Sequence, residues 1–345
     1  MGLQLRDVVE GKEIELKDLA GKRIAVDTFN ILYQFLASIR SPDGSLLTDA
    51  KGNVTSHLMG LFTRTTNLMQ QNIQIIFVFD GKAPDLKRKE QERRRQLKEE
   101  AKESYETAKE EEDIEAMKKF ASRTARLTPE MLVDAKELIT ALGCPIVQAA
   151  SEGEAQVAYL VKQGDAEYGA SQDYDTLLYG IPKLVRNLSI AGKRKKAGTH
   201  VYETVKPQLV LIAEVLNTLG IDREQLIVLA ILIGTDYNRE GIPGIGPKKA
   251  VKLLHEHKKD FNAIFNAVEW NKHYSFSWKE IYELILHMEV SKEYEIKFHP
   301  FDSAKVISLL CDKHDFGRER VESTLQKLEE MNTQKKQKGL NDFFS

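Results

Sequence analysis

Two short apolar runs constrain this fold more than any other feature, because each stops on a carboxylate. Ile24-Ala25-Val26 ends at Asp27, and Ile75-Ile76-Phe77-Val78-Phe79 ends at Asp80. Continuous runs of this length suit strands buried on both faces. Helix-period segments lie between them, with Ile31, Leu32, Phe35 and Ile39 marking one apolar stripe and Leu58, Leu61, Phe62 and Leu68 the next. Strands alternating with helices predict an α/β domain with a mostly parallel central sheet flanked by helices. Ligands bind such sheets beyond the carboxyl ends of the strands, which is where both acids are delivered. The pattern resumes later: Thr128-Pro129 opens a helix that closes near Gly143, residues 144–150 read as a strand, 151–161 as a helix, 168–171 as a short strand, and 226–233 as helix or strand.

At 345 residues and 42% hydrophobic, the chain can bury a substantial core. Its 50 Lys and Arg nearly cancel 52 Asp and Glu, leaving a net charge of −2, so any affinity for nucleic acid must come from how the charges are distributed. Over 87–117 charged residues crowd out any core-facing stripe. Lys87, Arg88, Lys89, Arg93, Arg94, Arg95 and Lys98 fill the first part, and acids from Glu99 onward dominate the second. Such a segment is a solvated helix, and its composition suits both a linker held by i,i+4 pairs and a functional arm. Cys144 and Cys311 are too few for a disulfide framework or a thiolate zinc site, which points to a reducing cytoplasmic setting. No apolar run approaches the roughly 20 residues that span a bilayer, so neither export nor membrane insertion is expected.

Asp27, Asp80, Glu152, Glu154, Asp173, Asp175 and Asp236 each follow an apolar run or belong to a tight carboxylate pair. Gathered in one cleft they would raise one another's pKa unless cations lay among them. Oxygen ligands without Cys or His favour Mg2+ or Mn2+ over zinc, and two such ions about 4 Å apart activate a water and stabilise the leaving oxygen of a phosphodiester. Each acid also has a plainer reading: Ser151 and Glu154 match a capping box, Asp173 and Asp175 suit a turn, and Asp236 suits a loop cap.

Residues 242–250 read IPGIGPKKA. Gly244 and Gly246 precede a helix opening at Pro247, with Lys248 and Lys249 in its first turn. Exposed N–H groups and two cations there suit a phosphate; an ordinary Gly-Pro turn is the alternative. Lys193 and Arg194 lie in a basic loop that suits either DNA backbone or simple solubility. On the charged arm Lys87 and Arg94 share a face, as do Arg88 and Arg95, and periodicity does not choose between the pairs. At the end of the chain Gln337, Leu340, Phe343 and Phe344 stand in a polar, lysine-rich stretch with no local core. A partner's groove is the economical sink for them, and docking back onto the domain is the alternative.

Taken in order, VDTFNILYQFL around Asp27, TSHLMGLF from Thr55, FVFDGKAPDLK around Asp80, SEGEAQ, SQDYDTLLYG, GTDYN and GIGPKKA span nearly the whole chain. Together they resemble the flap endonuclease family, close to its archaeal form. The resemblance implies a PIN-like 5′ nuclease fold with a helical arch and a helix–two-turn–helix DNA-binding element. It implies one nuclease domain over 1–330, comprising an N-terminal region (1–98), the arch (85–126), an internal region with the duplex-binding element (127–260) and a helical C-terminal part (261–330). A flexible tail (331–345) then carries a motif that docks on the sliding clamp, PCNA, through Gln337, Leu340, Phe343 and Phe344.

By the same resemblance the seven acids hold two Mg2+ ions, with Mn2+ able to substitute. Lys87 and Arg94 match the basic pair at the base of the arch that draws the scissile phosphate onto the metals. Tyr33, which sequence alone would make a core residue, matches a platform for a base near the cut, and Gly2 lies near the active site. The element at 244–249 binds duplex backbone and K+; the loop after Asp236 varies in length, so no K+ ligand is assigned. The implied activity is that of a monomeric structure-specific 5′ flap endonuclease with 5′-3′ exonuclease activity. It hydrolyses DNA near the flap junction in Okazaki-fragment maturation and repair, at the nucleoid.

Overall fold

The computed structural model describes residue 5 and residues 9–110, 126–190, 192–195 and 202–343. In chain order, β1 (Lys12–Glu13) and β2 (Arg23–Asp27) lead into α1 (Thr28–Ser38) and α2 (Ser56–Gln70), then β3 (Gln74–Phe79) and the charged α3 (Arg88–Glu110). Next come α4 (Pro129–Ala141), β4 (Ile146–Gln148), α5 (Gly153–Gln163), β5 (Tyr168–Ala170) and β6 (Lys183–Arg186). A two-stranded ribbon of β7 (Gly192–Lys195) and β8 (Tyr202–Val205) stands apart, and β9 (Gln208–Leu211) rejoins the main sheet.

The sheet has seven strands in the order β1-β9-β6-β5-β2-β3-β4. Every pairing from β6 across to β4 is parallel, and β9 alone runs against its neighbours β6 and β1. The reason lies in the connection: among the described residues between β6 and β9 no α-helix carries the chain back as a crossover, and β9 returns antiparallel. The chain leaves β2 for β3 and β4 on one side and comes back to β5 and β6 on the other. The topological switch point therefore falls beside β2.

Side chains alternate as strand geometry requires. Ile24 and Val26 of β2, with Ile75, Phe77 and Phe79 of β3, join a core shared with α1, α2 and α4. Ala25, Ile76 and Val78 point the other way, into a core shared with α5. The same core takes in α6 (Ile212–Leu219), α7 (Arg223–Ile233), α8 (Pro247–His257), α9 (Phe261–Ala267) and α10 (Trp278–Leu286). The ambiguous run at 226–233 is helical. Asp222 and Gln225 form a capping box at its start, and Leu226 through Leu232 are all buried, as in a helix apolar on every side.

The last helix, α11 (Arg318–Phe343), packs Val321 and Leu325 into the α1/α2/α4 core, buries Leu328 one turn on, and continues to Phe343. The backbone expected to be a flexible tail from 331 is thus helical for most of its length. The side chains of Gln337, Leu340 and Phe343, like Gly2 and Phe344, lie outside the described residues. Among the described residues no helix is long and apolar enough to cross a membrane.

Candidate active site

Asp27 closes β2 in the parity of Ala25, and Asp80 follows β3 in the parity of Ile76 and Val78. Both acids are therefore aimed at the α5 side of the sheet. Gly153 opens α5 at that point. Its N–H donates to Asp80 Oδ1 at 2.5 Å, and a Cβ at this position would stand 2.5 Å from that oxygen and 3.8 Å from Asp27 Oδ1. Only glycine lets the backbone approach so closely.

Glu152 sits at the N-cap of α5 but makes no capping bond, and the Ser151 hydroxyl donates to the Lys82 carbonyl at 3.0 Å. The capping-box reading of Ser151 and Glu154 therefore fails: the helix begins later, and Glu152 turns outward to Lys87 Nζ at 2.7 Å. Asp173 likewise makes no cap bond for the short turn it precedes. Its Oδ2 accepts from Asn30 Nδ2 at 2.8 Å, while the Asn30 N–H donates to Asp27 Oδ1 at 3.1 Å. Asp236 is no loop cap either, lying 3.3 Å from Lys87 Nζ and 2.5 Å from Arg94 Nη2. Arg186, buried on β6, donates to the Gln172 carbonyl and the Tyr174 hydroxyl and so fixes the loop carrying Asp173 and Asp175.

The electrostatics report how closely the acids are gathered. Burial, then the Asp80 and Asp173 carboxylates, push Asp27 up to about 8. Burial and Glu152 push Asp80 up to about 6. Glu154 is raised well above the carboxylate range by burial and by Asp175, Asp27 and Asp173. Burial opposes the charge on Lys87, but Glu152 and Asp236 hold its ammonium well above the usual value. These contacts and charge interactions link the seven predicted acids to one another, with Lys87 and Arg94 reaching Glu152 and Asp236 from the charged segment that starts at 85. Arg88 and Arg95, the competing pair, turn away to Asp85 and Glu92 and are largely exposed.

Tyr33 is not a core residue. It is 37% exposed, with Lys98 Nζ 4.6 Å from its ring centroid, because α3 passes over this end of α1. Gly244 and Gly246 are exposed before α8, which has no side-chain cap at Gly246; Lys248 is exposed, and Lys249 Nζ donates to the Gly244 carbonyl at 2.8 Å. Lys193 and Arg194 fall on β7, away from the main sheet, and their side chains lie outside the described residues. Sequence reasoning missed Asn30, Gly153, Glu90 and Arg186. Only Asn30, three residues into a helix after an Asp, carries a local signal, that of an N-cap partner.

The donor set suits hard divalent ions: seven carboxylates outnumber two cations, and Glu152 Oε1 is buried with no hydrogen-bond partner. Among the described residues no three acids or His or Cys side chains are already gathered as ligands of one ion. Asp80 instead leans on Gly153, Asp173 on Asn30, and Glu152 and Asp236 on Lys87.

Two family profiles match the chain, the XPG N-terminal domain at residues 2–101 and the XPG I-region at 143–236. Flap endonuclease 1 of Thermofilum pendens is 49% identical over 347 aligned residues, covering 100% of this chain and 99% of that protein. Its counterpart from Thermococcus onnurineus is 46% identical, also covering 100% and 99%. The solved flap endonuclease-1 of Methanococcus jannaschii superposes with a TM-score of 0.75 at 37% identity, covering 97% of this chain and 100% of that one. Likeness of this extent in both sequence and fold places the chain in the flap endonuclease 1 family, whose members are metal-dependent nucleases acting on DNA.

Proposed function

We infer that this chain is a structure-specific 5′ flap endonuclease with 5′-3′ exonuclease activity, hydrolysing a DNA phosphodiester near the flap junction in Okazaki-fragment maturation and DNA repair. One observation carries the reading at the level of the site: buried acids at the switch point of a parallel sheet raise one another's pKa while two arch cations face them. Asp27, Asp80, Glu152, Glu154, Asp173, Asp175 and Asp236 would hold two divalent ions, Mg2+ or in its place Mn2+. Such ions, when bound, supply activation of the attacking water and stabilisation of the leaving oxygen.

The chain's own groups do the rest. Lys87 and Arg94 exchange carboxylate partners for oxygens of the scissile phosphate, and Arg94 presents the planar fork that suits a phosphate. Both then stabilise the charge that develops as the bond breaks, to leave a 5′-phosphate and a 3′-hydroxyl. Tyr33, nearly two turns beyond Asp27 on α1, offers its ring to a base beside the cut. Lys248, Lys249 and the exposed N–H groups after Gly244 and Gly246 take a duplex phosphate, with K+ bound in the same element. Gly2, Lys193 and Arg194 are further DNA contacts. The C-terminal residues Gln337, Leu340, Phe343 and Phe344 dock on the sliding clamp, and the enzyme works as a monomer in the cytoplasm at the nucleoid.

A labelled 5′-flap substrate tests the reading. Cutting is expected with Mg2+ and none with chelator, and Asp80→Ala and Asp175→Ala should bind flaps without cutting them. Wild-type turnover by either variant counts against the metal assignment. Flap, nicked, bubble and RNA-flap substrates rank the specificity, and deleting 337–345 should spare basal cutting while abolishing stimulation by the clamp.

A further inference from the structure

We propose that Glu90 is a positioning residue that sets the reach of Arg94 into the acid cleft, an inference that rests on the assignment of Arg94 to the scissile phosphate. Glu90 is the anomaly of α3. On a helix whose charged side chains are mostly solvated, it is 8% exposed, and a carboxylate is seldom buried unless it is paired. Its Oε1 accepts from Arg94 Nε at 2.8 Å, while Arg93 grips both oxygens at 2.8 Å through Nε and Nη2.

The consequence for Arg94 is geometric. A guanidinium is a rigid plane, so fixing Nε also fixes where the terminal nitrogens point. With Nε on Glu90, the Nη2 atom of Arg94 lies 2.5 Å from Asp236 Oδ1, at the cleft's edge. Glu90 precedes Arg94 by one helical turn, the favourable order for such a pair. Burial works against the charge on Glu90, but Arg93 and Arg94 hold its carboxyl below the usual range, so it is anionic at neutral pH. Arg95 also pairs with an acid three residues before it, Glu92, but both side chains are about half exposed or more, where such pairs contribute little. Glu90 differs in being buried and in having its arginine continue to a catalytic acid.

A double-mutant cycle tests this with single-turnover cutting of a labelled 5′ flap at saturating enzyme and Mg2+, and flap affinity measured by anisotropy in chelator. Arg94→Ala should slow cutting ~100-fold or more. Glu90→Ala should slow it on the order of 10-fold with affinity and melting temperature near wild type, and Glu90→Gln should fall between. In the Arg94→Ala background Glu90→Ala should add nothing, because the residue acts through Arg94. A full additive loss in the double variant, or wild-type cutting by Glu90→Ala beside a slow Arg94→Ala, overturns the inference alone. Wild-type cutting by Arg94→Ala removes the assignment of Arg94 and this inference together.

Discussion

Asp27 and Asp49 are the same residue type at nearly the same burial, 6% and 7% exposed, yet the protein treats them in opposite ways. Asp49 accepts from the Asn53 N–H at 2.8 Å, Asn53 Nδ2 at 2.9 Å and the Lys51 N–H at 3.0 Å, and faces His314 Nδ1 at 3.0 Å. Burial alone would push its carboxyl up, but these partners, Asn53 foremost, hold it down to about 2. Asp27 has the Asn30 N–H and the Lys87 charge on one side and burial with Asp80 and Asp173 on the other, and it is pushed up to about 8. Asp27 is raised by burial first and then by the neighbouring acids, whereas Asp49 has enough donors to offset the cost of its burial. An acid whose lone pairs are all answered by the chain is structural. The acids of the cleft face one another as well as Gly153, Asn30, Lys87 and Arg94, so cations brought among them would relieve a repulsion that Asp49 does not feel.

The sharpest way to break this contrast is to remove one charge from each group. Asp80→Asn should lower cutting by at least ~1,000-fold, while in chelator its melting temperature should hold or rise because a repulsion is relieved. Asp49→Asn should do the reverse, with cutting per folded molecule preserved and a clear loss of thermal stability, since the loop at 49–53 and the segment at His314 lose their shared partner. Equal destabilisation by the two substitutions would show that both acids are structural. A smaller effect should follow from Gly153→Ala. The added methyl group would crowd Asp80 Oδ1 and displace either the acid or the start of α5, so single-turnover cutting should fall on the order of 100-fold with flap affinity retained. A wild-type rate would mean that the contact between Asp80 and the helix amide has no part in the chemistry.

Much of the fold was legible because β2 and β3 are uninterrupted apolar runs, a pattern that both core faces demand. Asp27 and Asp80 stood out for the same reason, standing where these runs stop, whereas Glu152 with Glu154 and Asp173 with Asp175 stood out only as close pairs. Asp49 sits in DAKGN and reads as a turn residue; nothing local says that His314, 265 positions away, will face it. The choice between Lys87 with Arg94 and Arg88 with Arg95 was closed to periodicity, because both pairs have the same spacing. In the fold it is Arg94 that meets Asp236, 142 residues further on, while Arg88 and Arg95 face solvent. Tyr33 lies off the Ile31, Leu32, Phe35 and Ile39 stripe of α1, and nothing local shows that Lys98, from a solvated helix, comes over its ring. Contacts that close over long sequence separations carry no local signature, and the site depends on several of them.

The smallest effect, and the most direct reading of the contrast, is the pH dependence of stability in chelator. An acid raised in the folded state binds more protons folded than unfolded between its two pKa values, so stability falls as pH rises through that window. For Asp80 the window runs from about 4, the unfolded value, to about 6, and for Asp27 from the same start to about 8. Asp49 has the opposite sign. Its stabilisation is present above about 4 and is lost as pH falls toward about 2. Melting temperatures between about pH 3 and about pH 9 should therefore decline on both limbs for different reasons. Asp27→Asn should flatten the alkaline limb and leave the acid one, Asp49→Asn should flatten the acid limb and leave the alkaline one, and saturating Mg2+ should mimic Asp27→Asn, because an ion among the acids removes their preference for protons. If Asp27→Asn left the alkaline limb unchanged, the acids of the cleft would not be pressing on one another, and the feature that separates them from Asp49 would be lost.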